Sequence, residues 1–589
     1  MKLRYMLFAS AVSLMAAGCN ESSFLDNPAQ GVISDEVIEN TGQVDLLTNA
    51  AYAGLMGADD VQGSANAYPT TNWSYGSVRA DDAYKGGGGT GDLSDVHKIE
   101  TMTVDASLGN ADGKWYKLYC SVQRCNSALS LLNKMTNDQV TDRKIQIQEM
   151  KVLRAHFYFE LSRLFNRIVY FEEDYDGDLA TLSNVEYTRD QILEKLATTM
   201  EEAASVLPES QTDLGRINKY IATAYAAKIN LYRAYQQDEE THKVTSINKQ
   251  LLQKVADECD VVINSHKYGL LDNFQDLDKV STGDNSKEGV FQVQYSMNDG
   301  TESGGRINWS NLLNSPKGPY NGDGFFLPSQ DLTDAFQTDE NGLPLFDTYY
   351  KNHYDTWNAD ENKSENTIAA VDPRLDFIVG RPGITWKTYK DTPCEITWVR
   401  DVPTYGSHCC KRFFVSPESS EMYQGWPWGA SGLNWNIIRY SNVLLWKAEA
   451  LIEMGQNLDE ARQLINTIRS RAAQSQYWVK DFNDDTKYAA NYKIGMYPQA
   501  GWTQDYARKA LRYETRLETA MEGERFFDLV RWGIAAETMN GYFAREKGTR
   551  VYYQNSKFTE GRDEYFPISS QQYNFSNGTY KQNPGYGNF

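Results

Sequence analysis

Apolar residues recur at three- and four-residue intervals through most of residues 46–265, which places them on one face of an α-helix. The spacing predicts helices of similar length separated by short polar turns. Paired amphipathic helices are typical of a helical-repeat array, because each helix must bury its apolar face against a neighbour. The stretches with this spacing are 115–135, 145–165, 191–207, 217–235 and 251–263.

The pattern changes in residues 266–432. Positions 290–295 alternate between apolar and polar side chains and predict a strand. The rest of this region is rich in Gly, Asn, Asp, Pro and aromatic residues and has few helical stretches. Because long irregular segments in folded proteins are usually functional, we expect residues 266–432 to form a loop-rich ligand-binding region.

Helical spacing returns in residues 433–589. Two predicted helices, 443–454 and 458–473, flank Gly455, and small alanines in the first helix allow the pair to pack closely. This arrangement is typical of a tetratricopeptide-like turn, in which glycine adopts the tight backbone conformation at low cost. Two more helices are predicted at 506–520 and 523–539.

The first residues predict export and lipidation. Lys2 and Arg4 precede a short apolar run, and Ala-Ala-Gly precedes Cys19. The run is too short to span a bilayer, so residues 1–18 are predicted to be a signal peptide. The small residues before Cys19 resemble a bacterial lipobox, which predicts that Cys19 carries a lipid and that residues 19–45 begin as a tether. The alternative is an ordinary signal peptide with a chance cysteine.

The net charge and the spacing of the cysteines limit which macromolecules, metals and cofactors the protein is expected to bind. The formal net charge of −21 argues against nucleic acid and anionic lipid as partners. No Cys-x-x-Cys occurs and the six histidines are scattered, so no metal site and no cofactor are predicted, and the internal cysteines are expected to be buried. The glycine-rich Gly86–Gly91 lacks a preceding apolar strand and predicts a flexible surface loop rather than a nucleotide site.

Several longer motifs are more specific. Together with the lipobox they resemble the SusD/RagB family of Bacteroidetes outer-membrane nutrient-binding lipoproteins. The resemblance implies a mainly α fold, a tetratricopeptide-like scaffold with a large irregular loop region and minor β structure. It also implies a SusC-like TonB-dependent transporter as partner and an oligosaccharide as ligand. The motifs are Leu153–Phe159, Gly215–Tyr220, Ile437–Ala450, Arg512–Gly533 and Gln582–Tyr586.

Charged residues alternate in sign along the two helices of the Arg512–Gly533 motif. Their three- and four-residue spacing predicts ion pairs between packed helices. We interpret these charges as structural rather than catalytic.

Aromatic residues beside polar side chains in loops are the candidate ligand site, because sugar C–H faces stack on aromatic rings and sugar hydroxyls need polar partners. For any single tryptophan, the alternative that it fills the scaffold stays open. This alternative is strongest for Trp426 and Trp428, which lie close to a family motif. The predicted glycan-binding residues are Trp73, Tyr75, Arg79, Asp81, Asp82, Tyr84, Trp309, Tyr320 and Trp357.

These observations predict a non-enzymatic, surface-exposed lipoprotein, anchored to the outer membrane, that captures an oligosaccharide for a transporter. Nucleophile-elbow, zinc-protease and phosphate-loop motifs are missing from the sequence. The alternatives are a peptide-capture module, a surface glycosidase, and a structural lid without a ligand of its own.

Overall fold

The computed structural model describes residues 42–57, 70–300, 306–355 and 369–587, and the backbone of two short strands at 357–358 and 363–364. The predicted signal peptide, the lipidation site Cys19 and nearly all of the tether lie outside the described residues.

The described part of the chain is mainly helical, as predicted. None of its helices is both long and apolar enough to cross a membrane. In chain order the helices are α1 Gly42–Met56, α2 Ser94–Glu100, α3 Gly109–Lys134, α4 Arg143–Phe165, α5 Arg189–Val206, α6 Lys219–Ala234, α7 Lys249–Ile263, α8 Val280–Gly283, α9 Gln330–Ala335, α10 Arg374–Ile378, α11 Val402–Tyr405, α12 Tyr440–Met454, α13 Leu458–Ala472, α14 Gln504–Glu518, α15 Arg525–Arg531, α16 Ala535–Glu546 and α17 Ser570–Phe575.

The described strands are short, and some pair locally while others connect parts of the chain that are far apart in sequence. They form antiparallel pairs: β1 with β5, β2 with β3, β4 with β10, β6 with β7, and β8 with β9. The β4–β10 pair confirms the predicted strand and brings the start of the loop-rich region beside its end. The strands are β1 Ala83–Gly86, β2 Tyr235–Gln237, β3 Val244–Ile247, β4 Gly289–Val293, β5 Phe325–Pro328, β6 Trp357–Asn358, β7 Lys363–Ser364, β8 Val379–Gly380, β9 Cys409–Cys410 and β10 Trp435–Arg439.

Local sequence explains where the helices begin and end. A capping box of Thr188 and Gln191 begins α5, and the side chains of Asn218 and Asn248 cap α6 and α7. Helix α12 ends at Gly455, which has the left-handed φ of 73° that favours glycine. The predicted helix 523–539 was wrong as a single element, because the chain turns between α15 and α16 at residue 533.

The long helices form one stacked array. Helices α3, α4, α5, α6 and α7 each pack on the next along the chain, and α12 then packs on α7 and is followed by α13 and α14. The array therefore continues across the loop-rich region, which is inserted between α7 and α12. The larger hydrophobic core of the described residues extends from Val44 in α1 to Tyr580 near the end of the chain, and a second core surrounds Trp73 and Phe326.

Buried ion pairs join the loop-rich region to the C-terminal helices. Glu518 on α14 accepts hydrogen bonds from Arg374, Arg439 and Arg471, all of them buried. The structural role predicted for the charged motif is confirmed. The predicted pairing between the two motif helices was wrong, because most partners come from other parts of the chain.

Candidate functional site

The structure buries six of the predicted ligand residues, which we call the Trp73 cluster. Their side chains cannot contact a ligand in this fold, since each residue exposes only 0–1% of its surface. The prediction that they bind glycan is therefore corrected. The cluster comprises Trp73, Tyr75, Arg79, Asp81, Asp82 and Tyr84.

The aromatic members of this cluster pack within the scaffold. Trp73 begins a π-helical turn, Trp73–Val78, and its ring lies 5.6 Å from that of Phe326. The Tyr75 hydroxyl donates a hydrogen bond to Asn110. The Tyr84 hydroxyl donates to Glu546 at 2.6 Å. These rings act as core side chains.

The Arg79 guanidinium is held by the C-terminal part of the chain. It donates to the backbone carbonyl of Asp563 at 2.8 Å. Its central carbon lies 4.4 Å and 3.8 Å from the ring centroids of Phe526 and Phe566. Burial lowers the pKa of Arg79 to about 10. Cation–π contacts on two rings make this arginine a structural clamp.

The two carboxylates of the cluster bind arginines of the family motif. Asp81 pairs with Arg525 at 2.9 Å and with Arg516 at 3.3 Å, and Asp82 pairs with Arg516 at 2.9 Å. Burial acts to raise the pKa of Asp81, but the two guanidiniums outweigh it and hold that pKa well below its usual range. Burial and the adjacent Asp81 charge raise the pKa of Asp82 despite the attraction of Arg516. Both carboxylates are committed to the scaffold.

Two further predicted residues have other outcomes. Tyr320 is buried, and its hydroxyl donates to the carbonyl of Val415 and accepts from the Trp386 indole. The prediction that Tyr320 contacts a ligand is corrected for the same reason. Trp357 lies in β6, paired with Ser364, but its side chain lies outside the described part of the structure.

Trp309 and Trp426 form the exposed aromatic site. Their ring centroids lie 5.6 Å apart with an interplanar angle of 66°. Trp426 exposes 55% of its surface, more than any other tryptophan whose side chain the structure describes, and Trp309 is half-buried. The edge-to-face contact fixes the Trp426 ring against a partly buried neighbour while leaving it open to solvent. We call this pair the Trp309–Trp426 platform.

Two backbone elements hold the platform. The side chain of Asn308 caps the 3₁₀ turn that begins at Trp309, and its amide donates to the carbonyl of Leu433 at 2.8 Å. Trp426 lies at the tip of a loop closed by a bridge between Met422 and Ser431. The two sides meet where the Asn308 backbone amide donates to the Ser431 carbonyl.

The platform offers an apolar contact surface. Trp426 presents an open ring, whereas the indole nitrogen Nε1 of Trp309 is buried. An open aromatic face suits a ligand with C–H faces. Sequence reasoning named Trp309 as a ligand residue, whereas for Trp426 it considered the scaffold alternative strongest and left it out of the predicted ligand residues. The glycine on either side of Trp426–Trp428, at Gly425 and Gly429, was the signal of an exposed turn.

The glycine-rich loop after β1 is also fixed more firmly than predicted. Buried Lys85 donates from its ammonium group to the backbone carbonyls of Gly86, Gly89 and Asp92. Burial lowers the pKa of Lys85 to about 8, although nearby Glu100 and Asp92 favour its charge. The loop therefore closes around an internal cation at its base, while residues 88, 90 and 91 are exposed, as predicted for a surface loop.

Among the described residues, neither the cysteines nor the potential metal ligands form an additional candidate site. The six described cysteines are all free, and all but Cys120 are buried, as predicted. Among the residues that the structure describes, there is no cluster of three or more His, Cys, Asp or Glu side chains that could hold a metal ion.

Two family models match the chain. One, described as "SusD family", matches residues 287–586, and the other, described as "Starch-binding associating with outer membrane", matches residues 55–231. A curated relative, SusD-like protein P2 from Formosa agariphila, is 21% identical over 99% of this chain and 100% of its own length.

Solved structures share the fold at low sequence identity. A laminarin binding SusD-like protein is 20% identical, with a TM-score of 0.65 over 92% of this chain and 99% of its own. A SusD homolog from Bacteroides thetaiotaomicron is 19% identical, with a TM-score of 0.68 over 95% of this chain and 100% of its own. Surface glycan-binding protein A from the same organism, solved in complex with laminarihexaose, is 19% identical, with a TM-score of 0.62 over 92% of this chain and 99% of its own.

Proposed function

Because the chain belongs to the SusD family, we propose that it is a cell-surface glycan-binding lipoprotein that captures oligosaccharide on the Trp309–Trp426 platform. The observation that carries the proposal is the exposed Trp426 ring fixed edge-to-face by Trp309. An open aromatic ring stacks on the apolar face of a sugar. The names of two structural relatives, which bind laminarin and laminarihexaose, support the same ligand class.

The proposed cellular setting is the outer membrane. The sequence before Cys19 predicts a lipid anchor there, and one family description places its members in association with the outer membrane. We infer delivery of the captured oligosaccharide to a SusC-like TonB-dependent transporter from the family resemblance. An acyl anchor would hold the binding site beside the pore and raise the effective concentration of ligand there.

We propose binding rather than catalysis. Glycoside hydrolysis needs two carboxyl groups placed on either side of the scissile bond, and the platform consists of two indole rings. Asp81 and Asp82, which the sequence predicted to bind sugar hydroxyls, are buried against arginines. Peptide capture remains the alternative ligand class, because aromatic platforms also bind peptides.

The decisive test is Trp426→Ala against a panel of neutral oligosaccharides and a matched peptide panel, measured by titration calorimetry. Loss of one stacked ring should cost about 1–3 kcal/mol of binding free energy, by analogy with base–aromatic stacking. Binding of neutral sugars should be independent of ionic strength, because no ions are released.

Phe575→Ala is a matched control, since Phe575 exposes 56% of its surface, nearly the same as Trp426. The control should bind as the wild type does. Wild-type affinity in Trp426→Ala, or binding by the peptides alone, would contradict the proposal.

A further inference from the structure

A second concave site lies in the loop-rich region, in a cleft of about 680 Å³. This volume is within the range of small-ligand pockets. The cleft is lined by charged, hydroxyl and amide side chains and by Phe377. Its wall 415–421 leads directly into the loop that carries Trp426. Cleft and platform therefore share one segment of chain.

Lys387 supplies an incompletely paired cation to this cleft. Its side chain is only 13% exposed, and the ion pair seen for its ammonium group is with Asp278 at 3.3 Å. Asp278 is shared, because Arg412 contacts the same carboxylate at 3.3 Å. Burial lowers the pKa of Lys387, and Asp278 offsets this effect only in part. Asp278 thus divides its contacts between Lys387 and Arg412, and Arg412 has a second carboxylate partner in Glu522 at 2.9 Å.

Lys411 adds a second cation with no carboxylate hydrogen bond. Its ammonium group donates to the backbone carbonyls of Asp376 at 2.8 Å and Thr385 at 2.6 Å. Burial lowers its pKa to about 8, so the group still carries its proton at neutral pH. Ser416, which also lines the cleft, has a buried hydroxyl without a hydrogen-bond partner among the described residues. The Lys411 ammonium group therefore has no carboxylate hydrogen bond, and the Ser416 hydroxyl has an unused hydrogen-bonding capacity.

The opposing charges lie farther out. Glu418 is exposed and Glu421 is half-buried, both on the shared wall. Water and salt screen such carboxylates, whereas the buried lysines are screened much less. Lys279 also lines the cleft, but it is 45% exposed and is neutralised by Asp276. Among the charged side chains that line the inner part of the cleft, the two lysines Lys387 and Lys411 face one carboxylate, Asp278, in a protein whose net charge is −21.

We propose that this cleft binds the anionic group of an acidic glycan, a carboxylate or a sulfate ester, through Lys387, Lys411 and Ser416. The proposal rests on the proposed glycan-binding function and specifies its ligand class. An anion would complete the partners of Lys387 and supply an acceptor for the Ser416 hydroxyl. Charge-assisted hydrogen bonds of this kind are stronger than the neutral ones that a sugar hydroxyl would make.

The test uses matched ligand pairs on the full mature protein, measured by titration calorimetry. One pair is trigalacturonate and its neutral methyl ester, and the other is a sulfated laminari-oligosaccharide and its unsulfated parent. The acidic member of at least one pair should bind about tenfold more tightly than the neutral member. That advantage should shrink as ionic strength rises. If the advantage appears in the galacturonate pair, the cleft binds a carboxylate; if it appears in the laminari-oligosaccharide pair, the cleft binds a sulfate ester.

Lys387→Met removes the charge and keeps an unbranched side chain that is one atom shorter. It should abolish the advantage of the acidic ligand and leave neutral binding unchanged. Lys279→Met is the matched control in the same cleft and should keep the advantage. Thermal unfolding checks that both variants fold. If Lys387→Met fails to fold, the affinity difference within each ligand pair, and its dependence on ionic strength in the wild type, still test the proposal.

The outcomes separate the two proposals. Equal affinity for acidic and neutral members, or equal losses in both lysine variants, overturns the acidic cleft and leaves neutral capture by Trp426 intact. If Lys387→Met loses the tighter binding of the acidic ligand and Lys279→Met keeps it, the proposal of an anion-binding cleft is supported. Absence of binding by any glycan, acidic or neutral, overturns both proposals together.

Discussion

The Trp73 cluster and the Trp309–Trp426 platform have similar local sequences and opposite environments. Both place tryptophan among Gly, Ser and Asn, with no helical periodicity. Trp73 is 1% exposed, whereas Trp426 is 55% exposed. The difference lies in what covers each loop. Arg516 and Arg525 lie over the first loop, whereas the Trp426 side chain stays open to solvent. Aromatic residues in a loop therefore mark a ligand site only where no distant element packs on them.

The largest effect should come from breaking the ionic contact that covers the Trp73 cluster. Arg516→Met would leave Asp81, Asp82 and Asp331 without their shared guanidinium. Loss of one partner of a buried ion pair costs about 3–5 kcal/mol. Asp81 keeps Arg525 and Asp331 keeps Arg545, so Asp82 accounts for most of the loss. Urea unfolding should show the loss.

Lys509→Met is the matched control, since Lys509 forms an exposed pair with Asp347. Its stability should change by about 0.5 kcal/mol or less. A stable Arg516→Met protein would show that the contact does not hold the cluster in the core.

Truncation of the two tryptophans should separate stability from binding. Trp73→Ala leaves a cavity beside Phe326 and should lower the free energy of unfolding by about 3–5 kcal/mol. The folded fraction should bind oligosaccharide as the wild type does. Trp426→Ala should change stability by about 0.5 kcal/mol or less, because its ring is exposed. Chemical unfolding and calorimetry on the same samples measure both quantities. If folded Trp73→Ala bound sugar more weakly than the wild type, the conclusion that Trp73 is a core residue without a role in binding would be wrong.

The smallest effect concerns pH and the buried ionic scaffold. Burial acts to raise the pKa of Glu518, but Arg471, Arg439 and Arg374 outweigh it and lower that pKa to about 2. Since the folded-state pKa lies below the unfolded value of about 4.3, the stabilisation from Glu518 is complete above that value and is lost as pH falls towards 2. Glu518→Gln resembles the protonated side chain.

The difference in unfolding free energy between wild type and Glu518→Gln should therefore be constant from neutral pH to about 5, then shrink by about 1 kcal/mol per pH unit at most below 4. Urea titrations at several pH values measure it. A difference that stays constant down to pH 3 would rule out the depressed pKa. Neutral sugar binding at Trp426 should not follow this pH dependence, because the platform pair itself carries no titratable side chain.

Local sequence predicted the helices well because their information is local. Apolar spacing located α3 to α7, and the cap residues Thr188, Asn218 and Asn248 lie where those helices begin. Gly455 marked the end of α12 because its left-handed backbone favours glycine. The family motifs covered enough of the chain to indicate the whole architecture before any contact was known.

The sequence by itself determined the helical array, the family and the kinds of side chain available for a ligand. Only the tertiary structure decided which of those side chains reach solvent. Trp73 is covered through contacts with Phe326 and with the layer around Arg516 and Arg525, all far along the chain. The physical reason is that helix spacing and capping depend on neighbours within a few residues, whereas burial depends on every element that packs over a site.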